Sequence, residues 1–200
     1  MESMSQDLQA LFHHDIDVRD AVQFFLAEDA SRDDPDVTPM KLQKLLYLAQ
    51  ANYLASTGRR LFSEPMDAYF HGPVVYRVTK MYSGRQIIAA TSNGAALTTP
   101  DLPEDVDTFL GRVWQQYKDW TPAALRQLSH DQAPWQDNYV EGEYRCNIPD
   151  EDMTEYFRSR VPAKSRVFHD NLVMLPAGTL AELEEHEDEI ADRMAQFFDA

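Results

Sequence analysis

The sequence predicts a mainly α fold, a compact multi-helix single domain with at most a small β element. Three observations predict it. Apolar residues recur at i, i+3, i+4 and i+7 in several separate stretches, the pattern of a helix with one buried face. Two of those stretches, at Thr38-Pro39 and Thr121-Pro122, open on a capping residue followed by a proline. The chain of 200 residues is 44% apolar and 11% aromatic, enough to fill the core of one domain.

In chain order, residues 1 to 16 read as a short helical arm containing Leu8, Leu11 and Phe12. Asp17 is a cap for the next helix, with Asp20 in its first turn and Val18, Ala21, Val22 and Phe25 on its inner face. Ser31 to Asp36 is a polar connector bearing a proline. The densest set of local signals runs from Thr38 to Val75. Leu42, Leu45, Leu46, Ala49 and Tyr53 share one helical face, and Gly58 suits the left-handed residue that ends a helix. Lys41, Gln43, Lys44 and Asn52 lie largely off that face, so the two lysines are expected as solvated charges, or as partners of acids on this chain or another. Gly72 suits a turn. Pro73 is expected to start a further helix with Val74, Val75, Val78, Met81 and Tyr82 as its apolar face.

Residues 84 to 102 contain Asn93-Gly94, a hairpin-turn signal, between short Ala-rich flanks, and read as a small hairpin or an exposed loop. Pro103 opens a helix with Val106, Phe109, Leu110, Val113, Trp114 and Tyr117 on one face. Thr121-Pro122 starts another through Leu125 and Leu128. Ala133-Pro134-Trp135 breaks the chain, Tyr139 to Asn147 is irregular, and Pro149 leads into a helix with Met153, Tyr156 and Phe157. Residues 167 to 175 are a candidate strand. The last helix, about Thr179 to Phe198, has a narrow seam of Leu180, Leu183, Ile190, Met194 and Phe197, interrupted by Glu187. The domain organisation that follows is an arm (1–16), a helical domain (17–158) and an extension (159–200) ending in an acidic amphipathic helix.

The formal net charge of −16 argues against nucleic acid and anionic membranes as direct ligands, because phosphate binding rests on clustered Lys and Arg. A basic protein partner fits the charge, as does plain solubility. Residues 141 to 200 hold 15 acids and 6 bases, concentrating the excess in the tail. Cys146 is the only cysteine, so no internal disulfide forms, which suits a cytoplasmic setting. No apolar run reaches the roughly 20 residues of a spanning helix, and the N-terminus lacks the features of a secretory signal.

Nothing in the sequence assembles a catalytic or metal constellation. The six histidines show no metal-ligand spacing, one cysteine makes no cysteine-rich zinc site, and the seven glycines are not clustered into a phosphate loop. No cofactor is expected. Two readings of His71 and His130 stand: a polar pair lining a shared pocket, or side chains that bond backbone groups where helices begin or end. Trp114, Trp120 and Trp135 read as core or capping residues.

Several blocks of the sequence also carry a resemblance. The run Lys41-Leu42-Gln43-Lys44-Leu45-Leu46-Tyr47, then Gly58-x-x-Leu61-Phe62, then Ala68-Tyr69-Phe70-His71-Gly72-Pro73-Val74-Val75 resembles the Panacea family, the SocA-like antitoxins or phage-associated GepA-like proteins. Val18 to Ala21, Thr121 to Leu125, Leu128-Ser129-His130, Ala133-Pro134-Trp135 and the block Ile148, Met153, Tyr156 and Phe157 extend it over about residues 17 to 158.

The resemblance implies a non-enzymatic antitoxin of a toxin–antitoxin system that neutralises a cognate protein toxin by direct protein–protein binding. The expected toxin is a translation-targeting enzyme or one that uses nucleotides or RNA. It leaves open an adaptor that delivers the toxin to a Clp protease. An enzyme with a pocket near His71 and His130 is the rival of a different class. Leu42, Leu45, Leu46, Tyr47, Gly72, Pro73, Val74, His130 and Trp135 are then structural motif residues. The candidate partner-binding residues are Lys41, Lys44 and His71, with Glu184, Glu185, Asp188 and Glu189 on the acidic helix for a toxin with a basic surface.

Overall fold

Thr38 caps the central helix as its sequence requires. Its hydroxyl accepts from the Lys41 backbone N–H at 3.1 Å, Pro39 occupies the first turn, and Gly58 ends the helix with φ +71°. The computed structural model describes residues 15–82, 88, 99–143 and 145–159. Among these, the elements in chain order are α1 (Val18–Ala30), α2 (Pro39–Thr57), β1 (Met66–Tyr69), β2 (Gly72–Val74), α3 (Tyr76–Tyr82), α4 (Glu104–Tyr117), α5 (Pro122–His130), α6 (Ala133–Gln136), β3 (Cys146–Ile148) and α7 (Asp150–Ser159). The fold is mainly helical with one small sheet.

α2 is the axis of the molecule. α1, α3, α4, α5, α7 and β2 all pack against it. Every residue from Lys41 to Leu54 is buried, including Leu42, Leu45, Leu46 and Tyr47. A helix surrounded on all sides has no solvent face. Lys41, Gln43, Lys44 and Asn52 are therefore not solvated, contrary to the periodicity.

The other helices follow their patterns. Asp17 caps α1, accepting from the Arg19 N–H at 2.8 Å. The Arg19 guanidinium and N–H hold its carboxyl well below the usual range, at about 2. In α4 the six buried residues are Val106, Phe109, Leu110, Val113, Trp114 and Tyr117, the predicted face. Thr121 caps α5 through the Ala124 N–H. Met153 and Phe157 face inward from α7, and Phe157 meets Tyr47 edge to face at 6.0 Å.

Several local expectations are corrected. Pro73 does not start a helix: Gly72–Val74 is a strand, and the helix begins at Tyr76. The Gln43 carboxamide explains where it begins. Its Oε1 accepts from the Val75 N–H at 2.8 Å, while its Nε2 donates to the Val75 carbonyl and the Thr79 hydroxyl. Met81, placed on an apolar face by its spacing, is exposed. The described β element was not among the sequence expectations. The sheet order is β2-β1-β3, antiparallel throughout, with Tyr69 opposite Gly72 and Met66 opposite Ile148. Cys146 to Ile148, whose first two residues are read as irregular, is thus an edge strand, and Ala133-Pro134-Trp135 opens a one-turn helix. Trp114 and Trp135 pack as expected. Trp120 is exposed and meets Tyr117 edge to face.

The arm through residue 14, most of residues 84 to 98, the candidate strand at 167 to 175 and the acidic helix lie outside the described residues. So do Glu184, Glu185, Asp188 and Glu189. No described helix is long and apolar enough to cross a membrane.

Candidate functional site

Several polar residues of α2 reach out to a connecting segment. Lys41 Nζ donates to the Lys118 carbonyl at the end of α4 and pairs with Asp36 at 2.7 Å. Gln50 accepts from the Leu61 and Phe62 N–H groups and donates to the Phe62 carbonyl, tying down the Gly-x-x-Leu-Phe segment. Tyr47 donates to Gln132 Oε1 between α5 and α6 at 2.8 Å. Burial holds the Tyr47 hydroxyl far above the usual phenol range. Lys44 Nζ donates to the Pro73 carbonyl at 2.8 Å, inside the sheet–helix junction.

Lys44 points into the turn joining β1 to β2. Phe70 and His71 form that turn, and Gly72 supplies the positive φ, +97°. A Cβ on Gly72 would lie 2.7 Å from Lys44 Nζ and 2.8 Å from Ser129 Oγ on α5. The glycine is what lets the lysine amine and α5 approach the strand. Phe70 stands 60% exposed at the tip, edge-on to His71 at 4.9 Å.

α5 and α6 close the other side. His130 stacks on Trp135 at 3.8 Å between centroids, and Trp135 stacks on Tyr139. The Trp135 indole N–H donates to the Tyr69 carbonyl at 2.8 Å, fixing the end of β1. Arg126 reaches over the Phe70 ring, its guanidinium carbon 5.9 Å from the centroid. The buried Arg126 Nε and His130 Nε2 have no hydrogen-bond partner among the described residues.

Electrostatically this is a cluster of three basic groups. No carboxylate among the described residues pairs with Lys44, Arg126 or His130. Burial, with Arg126 nearby, brings the Lys44 amine down to about 7. Burial, Arg126 and Lys44 also lower His130, against the pull of a hydrogen bond with the His71 backbone.

Stability should register Lys44. Its amine titrates near 7 in the folded chain and near 10.5 when unfolded. Between those values the unfolded chain binds the extra proton, so stability rises with pH, and below about 7 the penalty of a buried charge is fully present. The groups around it are Arg126 and His130 on α5 and, beside His130, His71 in the turn. Relative to Lys44→Met, the wild type should gain stability from about pH 7 to about pH 10. Urea denaturation of both proteins across that range checks this. A constant difference would mean that Lys44 is not held in a low-dielectric site.

The structure thus brings Lys44, His71, Gly72, Pro73, His130 and Trp135 together. His71 and His130 are neighbours, as the pocket reading requires, and His130 also bonds backbone, as the other reading requires. Leu42, Leu45, Leu46 and Val74 support the site from the core and from β2. Lys41 stands apart, fully buried against Asp36, and offers no surface to a partner as it stands. Phe70, Arg126 and Ser129 were not among the sequence candidates. One signal existed for Arg126: in a chain rich in acids, no Asp or Glu lies three or four residues from it on its helix. Lys44 shares that property.

Comparison with known proteins agrees with the sequence blocks. Residues 42–136, just under half of the chain, match the family model described as Antitoxin SocA-like, Panacea domain. No curated protein and no solved structure matches the chain. The matched region runs from the start of the buried part of α2 to the end of α6, so it contains every residue of the cationic cluster. Over residues 42–136 this chain is thus similar to the SocA-like Panacea antitoxin domain.

Proposed function

We propose that this protein is an antitoxin that binds a protein toxin encoded beside it and silences it by direct contact in the cytoplasm. The family match over residues 42–136 carries the reading. The geometry supports it in one respect. The family-like blocks converge on a surface with an exposed aromatic tip, Phe70, beside Arg126 and His130, whose Nε and Nε2 have no partner among the described residues, a composition suited to a protein contact. On this reading the protein has no turnover of its own.

The acidic extension is a second contact, matching a basic toxin surface of the kind that engages RNA or nucleotides. Glu184, Glu185, Asp188 and Glu189 are its proposed contact residues. The narrow seam and the seven acids between Glu182 and Asp192 support this.

One growth assay tests both parts. Expression of the neighbouring gene alone should arrest growth, and co-expression of this protein should restore it and yield a co-purifying complex. A neighbour that is harmless, or toxic but unrescued, refutes the antitoxin reading. A variant lacking residues 179 to 200 should stay folded and protect less well. Full protection by that variant would confine binding to the Panacea domain. Rescue that requires an intact Clp protease would make the protein an adaptor.

A further inference from the structure

We propose that the Phe70–His71 turn and the outer edge of α5 form the docking point for one acidic side chain of the toxin, an Asp or Glu whose carboxylate is received by Arg126 and His130. This rests on the antitoxin reading and adds the chemistry of the contact.

Three observations carry it. The first is the missing counter-ion. In a chain of net charge −16, the cluster gathers Lys44, Arg126 and His130 with no carboxylate among the described residues to offset them. A buried cation without an anion is unfavourable, and a neutral donor could hold the Pro73 carbonyl as Lys44 does. The choice of a basic residue is therefore not explained by the fold. The second is a pair of unpartnered nitrogens, a donor on Arg126 and, when the ring is protonated, a second on His130. Arg126 Nε and His130 Nε2 are buried with no acceptor among the described residues, although both side chains are only partly buried as a whole. Such orphans are uncommon and point to a missing acceptor. Arginine's planar fork fits a carboxylate in two-point contact. The third is the rim. Phe70 is 60% exposed beside Arg126 and can shield a seated carboxylate from water, the arrangement of an arginine–aromatic anchor.

The surrounding charge supplies specificity. An acidic side chain approaching elsewhere meets a largely acidic protein, whereas here it meets the Arg126 guanidinium with two further basic groups, His130 beside it and Lys44 beneath. Repulsion around an attractive point helps to fix register. Lys44 lies under Gly72 and stays inside, contributing field rather than contact. Seating a carboxylate should favour the protonated forms of Lys44 and His130, so the complex should take up protons near neutral pH.

The test uses the full chain and the toxin from the neighbouring gene. Arg126→Gln should weaken toxin binding roughly tenfold or more, with the circular dichroism spectrum and Tm retained. One Asp→Asn or Glu→Gln change on the toxin should weaken binding similarly and add nothing to Arg126→Gln. Calorimetry in buffers of different ionisation enthalpy should show proton uptake by the wild type that shrinks in the variant. Wild-type affinity in both Arg126→Gln and His130→Gln overturns the proposal. If wild type does not bind the neighbouring toxin at all, the antitoxin reading fails instead, and acetate decides the cluster. Acetate should raise the pKa of the His130 ring, followed by NMR, in wild type but not in Arg126→Gln. No response to acetate would also overturn the proposal. Inorganic phosphate held far more tightly than acetate, with toxin affinity indifferent to Arg126→Gln, would reassign the site to a small phosphorylated ligand.

Discussion

Leu45→Ala should destabilise the protein by about 2–5 kcal/mol and lower Tm by on the order of 10 °C. Leu45 is fully buried at the middle of α2, the helix against which most of the other elements pack. Truncation removes transferred apolar surface and leaves a cavity that neighbours on several sides cannot all collapse into. Against a total stability of about 5–15 kcal/mol this is a large fraction. Neutralisation should be lost through unfolding rather than through a lost contact, so protection should recover at lower temperature. Thermal and urea denaturation read the effect. An unchanged melting curve would mean that α2 is not the packing centre.

The same helix shows how far the sequence could be read. Its limits were legible because they depend on local chemistry: Thr38 and Pro39 at one end, Gly58 at the other. α4 was legible because it presents one face to the core, so period and burial coincide. The burial of Lys41, Gln43, Lys44 and Gln50 was not legible from period alone. Polar residues are assigned outward by spacing. Here each is held inside by a backbone group from a distant segment, such as Val75, Pro73, Phe62 or Lys118. Those partners become neighbours only after the chain folds.

The sheet was missed for a similar reason. Met66–Tyr69 and Cys146–Ile148 are short and nearly 80 residues apart, and neither alternates cleanly. The one hairpin signal that sequence offered, Asn93-Gly94, drew attention to a different segment. Gly72 and Pro73 were recognised as a turn device, but Pro73 was assigned to a helix start because that is its commonest use. What decides otherwise is pairing with β1, together with Gln43 placing the helix start beyond Val75.

Gly72→Ala should cost roughly 2–5 kcal/mol, from backbone strain and overpacking together. The backbone there has φ +97°, a region that L side chains rarely adopt, so any Cβ is strained whatever the space around it. Space is also lacking. The new methyl would meet Lys44 Nζ at 2.7 Å, Ser129 Oγ at 2.8 Å and Lys44 Cε at 2.9 Å. A lysine at the surface could swing aside, but Lys44 is 1% exposed and donates to the Pro73 carbonyl, so it has nowhere to retreat. The two costs separate in a double-mutant cycle. Lys44→Leu removes Cε and Nζ and with them the clash at the lysine, but not the unfavourable φ. Gly72→Ala should therefore cost less in the Lys44→Leu background, leaving about 1–3 kcal/mol of backbone strain. Equilibrium denaturation of the four proteins gives the coupling. Simple additivity would show that the glycine serves only the turn. Non-additivity would show that the turn glycine and the buried lysine are one device, which brings a cation under the exposed Phe70–His71 tip.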